Sequence, residues 1–301
     1  MTGVTSLVEV SHLGRLSFVV RVSCFFAIIG RCFAGEVLRD LEYANVDGLS
    51  LALDLYKPEK QVGPLIVYIH GGAWRSGSKK EMPLQALVES GSPVASVDYR
   101  LSTSARFPAQ VHDIKAAIRY LRANAQKLGI DTKQIVVAGS SAGGHLAALV
   151  GVTNGNRELE GEVGAFRDQS SAVQGIISFF GGSDLNTILK QSTPHGLSVR
   201  EPALDLLLGA QPDKVPELAR LASPVFHVDK DDPPLLLFHG DQDPQMPINQ
   251  AHELEGAYEK VGAKVRFKVL HGAGHGGAVF YEPEQMATIR QFIKENFGSA
   301  R

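Results

Sequence analysis

The chain predicts an α/β fold in which a mostly parallel central sheet of about eight strands carries helices on both faces. Three observations lead there. Short apolar runs ("LIVYIH", "VASVDY", "QIVVAG", "VQGIISFF", "PLLLFHG" and "KVRFKVL") recur along the chain, and strands buried on both faces read as unbroken apolar segments. Longer stretches of helical periodicity separate many of them, which implies right-handed crossovers between parallel neighbours. No internal repeat or low-complexity linker divides the 301 residues, so one large domain accounts for the length.

Taken in order, the first 34 residues stand apart. Arg15 and Arg21 accompany the apolar stretch "VSCFFAIIG", and "CFA" before Gly35 offers the small residues of a cleavage site. That is the layout of a secretory signal peptide over 1–34, cut after Ala34, and its apolar part is too short to span a bilayer. The expectation is a secreted or periplasmic chain that leaves the membrane once the signal is removed; if 1–34 is not a signal, the chain is cytoplasmic. Both cysteines, Cys24 and Cys32, fall in this segment. The mature chain would then have no thiol for a disulfide, a nucleophile or a zinc site.

The remainder, 35–301, reads as a single domain. "LRDLEY" and "LSLALDLY" alternate around the turn "NVDG", which predicts an antiparallel hairpin over 38–43 and 49–56. The apolar runs follow as parallel strands. "PAQVHDIKAAIRYLRANAQKLGI" carries Val111, Ile114, Ala117, Ile118 and Leu121 at helical spacing and stops at Gly129. "INQAHELEGAYEKVG" and "PEQMATIRQFIKENFG" repeat that pattern and also stop at glycine. Residues 154–171 are polar, and 181–232 are broken by Pro194, Pro202, Pro212, Pro216 and Pro224. Both read as insertions that build a small cap above the sheet.

Composition excludes several classes. Hydrophobic residues at 44% and charged ones at 21% describe an ordinary globular chain. Thirty basic against 32 acidic residues leave a net charge of −2 without a long run of either sign, which argues against nucleic acid as a partner. No HExxH or paired-carboxylate spacing suggests a metal, and GxGxxG is absent after the first strand, so no cofactor is expected.

The chemistry concentrates in three places. "VVAGSSAGGHLAA" puts Gly139, Ser141 and Gly143 as GxSxG between a predicted strand and an alanine-rich helix, the context in which a sharp turn exposes a nucleophilic hydroxyl. Ser140 occupies the wrong slot. A serine needs a base, and the base an orienting acid. "LLLFHGDQDPQMP" offers Asp241 and Asp243 after one strand, and "VLHGAGHGG" offers His271 and His275 after the next. Asp243 is preferred because it lies further past the strand end and Pro244 stiffens the chain after it, with Asp241 a candidate for tying the loop to backbone N–H groups. His275 is preferred because glycines flank it, whereas His271 lies closer to the strand.

"HGGAW", His70 to Trp74, follows the first parallel strand. Acyl transfer develops charge on a carbonyl oxygen, and preorganised N–H donors supply the largest stabilising effect. Gly72, Ala73 and Ala142 are the expected oxyanion donors, Gly71 shapes the turn, and His70 bonds the loop backbone. Trp74 is placed in the substrate pocket, with packing beneath the loop as the other reading. His145, one turn after Ser141, reads as a packing residue, and His195 and His227 have no spacing that supports a role.

Together "HGGAW", "VDYRL", "GSSAGGHLA", "HGDQDPQMP" and "GAGHGG" resemble the α/β-hydrolase superfamily, more narrowly the hormone-sensitive-lipase-like carboxylesterases. The HGGxW form and the "FPAQVHDIKAAIRYLRANA" segment are most similar to the subgroup of carbohydrate acetyl esterases, feruloyl esterases and kynurenine formamidase. The resemblance implies an α/β-hydrolase fold, a Ser141–Asp243–His275 triad, no metal or organic cofactor, and hydrolysis through an acyl-enzyme. Ala73 stands where the lipase-like branch usually has a third glycine, which favours small esters, with acetyl or feruloyl groups on polysaccharides as the expected substrates. The alternatives are a peptidase on the same fold and a non-catalytic ligand-binding relative.

Overall fold

A computed structural model describes residues 35–298, all within one unit, Ala34–Arg301. The predicted signal, 1–34, lies outside the described residues. Among the described residues no helix is long and apolar enough to cross a membrane.

The strands are β1 (Glu36–Val46), β2 (Leu49–Lys57), β3 (Leu65–Ile69), β4 (Val94–Val97), β5 (Ile135–Ser140), β6 (Gly175–Phe179), β7 (Leu235–Gly240) and β8 (Val265–Leu270). They form one eight-stranded sheet in the order β1-β2-β4-β3-β5-β6-β7-β8. The β1–β2 hairpin is antiparallel and joins β4 antiparallel; every pair from β4 to β8 is parallel. Burial explains the apolar runs: every residue of β3 to β7 is buried, while the two edges, β1 and β8, are mostly part-exposed. Bulges in β1 and its charged residues suit an outer strand that must not pair further.

The helices are α1 (Gln85–Glu89), α2 (Ala109–Ala123), α3 (Ala125–Leu128), α4 (Ala142–Gly151), α5 (Arg157–Glu160), α6 (Ile188–Gln191), α7 (Pro194–Leu208), α8 (Pro216–Leu221), α9 (Asn249–Val261) and α10 (Pro283–Phe297). Glycine in the left-handed region ends α3, α7 and α9, at Gly129, Gly209 and Gly262. All of α4 is buried, which its alanine-rich, uncharged sequence permits.

The chain runs from β3 to β4 on one side and then crosses to β5 on the other. Connections leaving the carboxyl ends of β3 and β5 therefore diverge and leave a crevice, the usual place for a ligand in such sheets. "HGGAW" follows β3 and Ser141 follows β5, so both stand at that crevice.

The two expected cap segments separate. Residues 154–171 do not reach the pocket. Their charges pair with the buried face of α2: the Arg119 guanidinium bonds Glu160, Ser171 donates to Glu160 at 2.6 Å, and His112 contacts the Glu158 carbonyl at 3.1 Å. The polar composition of this stretch serves ion pairing against a helix that buries Asp113, Lys115 and Arg119. The 181–232 stretch does contribute to the pocket, through α7.

Candidate active site

The turn after β5 is strained. Ser141 sits at φ 54° and ψ −117°, a conformation costly for a residue with a Cβ, and it is the N-cap of α4. Its N–H donates to the Phe179 carbonyl on neighbouring β6 at 2.9 Å, so the strand ladder holds the strained residue in place. The GxSxG pattern has a steric cause. A Cβ on Gly143 would lie 2.1 Å from the Ile69 carbonyl and 2.5 Å from that of His70, so only glycine lets α4 start this close to the end of β3.

Ser141 Oγ lies 2.8 Å from His275 Nε2, and His275 Nδ1 lies 2.7 Å from Asp243 Oδ2. With Nδ1–H donating to the carboxylate, Nε2 is free to accept the serine hydroxyl. The Asp243 side chain is fully buried, and its other oxygen accepts the N–H groups of Gln245 and Met246, both at 2.8 Å. Burial would raise its carboxyl, but the His239 ring, His275 and the Met246 N–H outweigh burial and hold it well below the usual carboxylate range. It is therefore ionised at neutral pH. Phe180 packs edge-on against the His275 ring at 4.9 Å.

The rejected pair meets elsewhere. His271 Nδ1 lies 2.7 Å from Asp241 Oδ2 at the surface, and Asp241 also accepts the Gly272 N–H at 2.7 Å. Asp241 therefore ties one loop to the next, as expected. His271 is 86% exposed rather than held against its strand, a correction to the reason for setting it aside.

The "HGGAW" loop lines the cavity through Gly71, Gly72 and Ala73. Gly72 has φ +98°, and a Cβ there would lie 2.1 Å from the Ser76 carbonyl. The Gly72 carbonyl instead accepts the N–H groups of Arg75 and Ser76, both at 3.0 Å. Folding back in this way leaves the N–H groups of Gly72 and Ala73 with no acceptor among the described residues, as is that of Ala142 at the start of α4. Ala73 adopts φ 52° without being glycine. His70 is buried, stacks on Tyr99 at 4.4 Å and reaches the Gly71 carbonyl at 2.8 Å, which makes it a support of the loop.

Trp74 corrects the expectation that it lines the pocket. It is fully buried and points beneath the loop, its N–H donating to His145 Nδ1 at 3.1 Å. The positive φ of 60° at Trp74 turns the ring inward. His145 in turn donates from Nε2 to the Ala222 carbonyl at 2.7 Å, and complete burial lowers it to about 4, so it is a neutral brace. His195 and His227 are not among the residues lining the cavity.

The cavity above Ser141 measures about 660 Å³. Sequence reasoning missed much of its wall. Ser140 Oγ bridges the hydroxyls of Tyr68 at 2.8 Å and Tyr281 at 2.6 Å, and all three line the cavity. Arg200 of α7 lines it too, and here a signal existed. Arg200 shares the buried face of its helix with Ala203, Leu204 and Leu207, the spacing of an apolar stripe. An arginine in that stripe asks for an explanation.

The BD-FAE family model matches residues 53–258. Esterase LipC of Mycobacterium tuberculosis is 34% identical over 217 residues, which cover 71% of this chain and 53% of that protein. The chain thus spans about half the length of the curated relatives it matches. Among solved structures, a truncated carbohydrate esterase from gut microbiota superposes with a TM-score of 0.77 at 33% identity, covering 87% of this chain and 96% of that one. Est2 of Thermogutta terrifontis, a thermophilic esterase with propionate bound, superposes with a TM-score of 0.69 at 28% identity, covering 89% and 96%. With its eight-stranded sheet and its match over both the HGGAW loop and the serine turn, the chain belongs to the BD-FAE family of α/β-hydrolases.

Proposed function

We propose that the protein is a serine carboxylic ester hydrolase acting on short-chain or hydroxycinnamoyl esters, among them acetyl or feruloyl groups on polysaccharides. The observation that carries this reading is the hydrogen-bonded line from Asp243 through His275 to Ser141, opening on a cavity beside unengaged N–H groups. Ser141 Oγ attacks the ester carbonyl carbon as its proton passes to His275 Nε2. The charge that forms on the carbonyl oxygen is held by the N–H groups of Gly72, Ala73 and Ala142, each worth on the order of a hundredfold to a thousandfold in rate. The bond to the alcohol then breaks, and His275 returns the proton to the departing oxygen. Water repeats the sequence on the acyl-Ser141 bond and releases the acid. Asp243 keeps Nδ1 protonated and stabilises the imidazolium in both halves.

Short acyl groups are favoured by the HGGxW loop, and carbohydrate esters by the likeness to the gut carbohydrate esterase. The test is a panel of p-nitrophenyl acetate, butyrate and octanoate beside peptide p-nitroanilides, followed by acetate or ferulate release from decorated xylan fragments. Acetate and butyrate should turn over fastest and Ser141→Ala should remove turnover. Ester cleavage that survives Ser141→Ala sinks the assignment, and anilide cleavage in preference to esters makes the protein a peptidase. Residues 1–34 are proposed as an export signal, for which a secreted chain beginning at Gly35 is the check.

A further inference from the structure

Arg200 carries a charge that forms no ion pair among the described residues. Its side chain is fully buried on α7 and lines the same cavity as Ser141 and His275. Neither terminal nitrogen has a hydrogen-bond partner among the described residues. Nε reaches only the Gln245 carbonyl, at a long 3.5 Å, and the guanidinium carbon stands 5.9 Å from the centre of the Trp74 ring. Asp243 attracts it from a distance, but that carboxylate is already engaged with His275 and two backbone N–H groups. Burial lowers the guanidinium to about 10, so it is still a cation at neutral pH. An unpaired buried cation is among the costliest things a core can hold, and leucine or methionine would pack this stripe without that cost.

A second cation faces the first. Arg75 lines the same cavity, repels Arg200, and forms no ion pair among the described residues. The carboxylate of Glu81 also lines the cavity, but its influence falls on Tyr68, His70 and Tyr99, and it pairs with neither arginine. The cavity therefore has a basic side, formed by Arg200 and Arg75, with which no carboxylate among the described residues forms an ion pair.

We infer that the ester substrate itself brings the missing anion: Arg200, assisted by Arg75, receives a carboxylate carried by the substrate on either the acyl or the alcohol side of the scissile bond. The substrate class is then carboxylate-bearing esters, such as half-esters of dicarboxylic acids or esters of uronic-acid sugars, and this rests on the esterase reading. A guanidinium offers a planar fork of donors that matches a carboxylate, which a neutral acyl chain cannot use.

The experiment compares charged and neutral partners of equal shape. Half-methyl esters of glutaric, adipic and suberic acids are set against their terminal amides, and ω-acetoxy acids of the same spacers against theirs. For at least one series the wild-type kcat/KM should favour the acid by about tenfold to a hundredfold, the range of charge-assisted hydrogen bonds. Arg200→Gln should bring that ratio to near one, whatever its absolute rates, and Arg200→Lys should retain part of it. Should Arg200→Gln fail to fold, Arg75→Gln takes its place and should lower the ratio several-fold. A wild-type ratio near or below one in every series overturns the inference, as does a preference that survives the substitution. If no ester turns over at all, the esterase reading fails alone. Calorimetric titration with adipamate against adipamide then decides the anion site: selective binding of the acid supports it and equal binding overturns it.

Discussion

The Trp74 indole N–H donates to His145 Nδ1 at 3.1 Å, joining the HGGAW loop to a helix 71 positions further along the chain. His145 then bonds the Ala222 carbonyl, so one neutral imidazole ties three distant segments together beneath the site. The loop that presents Gly72 and Ala73 is thus set by a contact that no substrate touches.

Trp74→Phe keeps an aromatic ring but removes the N–H donor and the fused second ring of the indole. It leaves a buried acceptor unpaired and should cost about 1–3 kcal/mol of stability. Because the loop loses its anchor, kcat should fall more than KM rises. Chemical denaturation and p-nitrophenyl acetate kinetics measure both; unchanged kcat would mean that the loop holds its shape without the brace.

His145 should make stability fall with acid. Its pKa is about 4 in the folded protein against an ordinary 6.5, so between those values the unfolded chain binds a proton that the folded one refuses. Stability rises with pH across that window and is lost as pH drops from 6.5 toward 4, by up to about 1.4 kcal/mol per unit. Buried His70 and half-buried His112 and His227 act in the same sense, whereas Asp232, raised to about 7, acts against it. The comparison is therefore between wild type and His145→Gln at pH 6.5 and 4.5. The variant should lose less stability on acidification, and parallel losses would refute the argument.

The two Asp–His pairs should separate cleanly in kinetics. Asp243→Asn frees His275 to adopt the wrong tautomer and should lower kcat by about four orders of magnitude. Asp241→Asn touches an exposed pair and should change the rate by less than about twofold. Equal losses from both would show that the loop geometry, rather than the carboxylate beside His275, matters.

Gly143→Ala should fail sterically. The added Cβ would lie 2.1 Å from the Ile69 carbonyl, backbone against backbone, with no flexible side chain to yield. A loss of about 3 kcal/mol is expected, accompanied by displacement of Ser141. A thermal midpoint matching the wild type would mean that α4 can move away from β3.

Much of the site could be read from the sequence because its parts are local. Glycines around Ser141 announce a turn whose steric demand spans a few residues, and Pro244 and Gly274 mark the two later loops. Trp74 could not be placed the same way. Its spacing allowed a ring in the cavity or beneath the loop, and the left-handed backbone at Ala73 and Trp74 turned it inward. Residues 154–171 looked like a cap because they are polar, yet their charges answer the buried lysine and arginine of α2. Ser140 seemed idle, and its two tyrosine partners come from positions 68 and 281.

By itself the sequence determined the strands, their parallel arrangement, the serine turn and the short list of acids and bases, since each depends on periodicity or on backbone freedom within a few neighbouring residues. Tertiary structure alone decided which histidine meets which aspartate, that Trp74 braces rather than binds, and that Arg200 lines the cavity with its two terminal nitrogens unpaired among the described residues. Those outcomes depend on side chains separated by tens to hundreds of positions meeting in one packed volume, and residue order does not encode their distances.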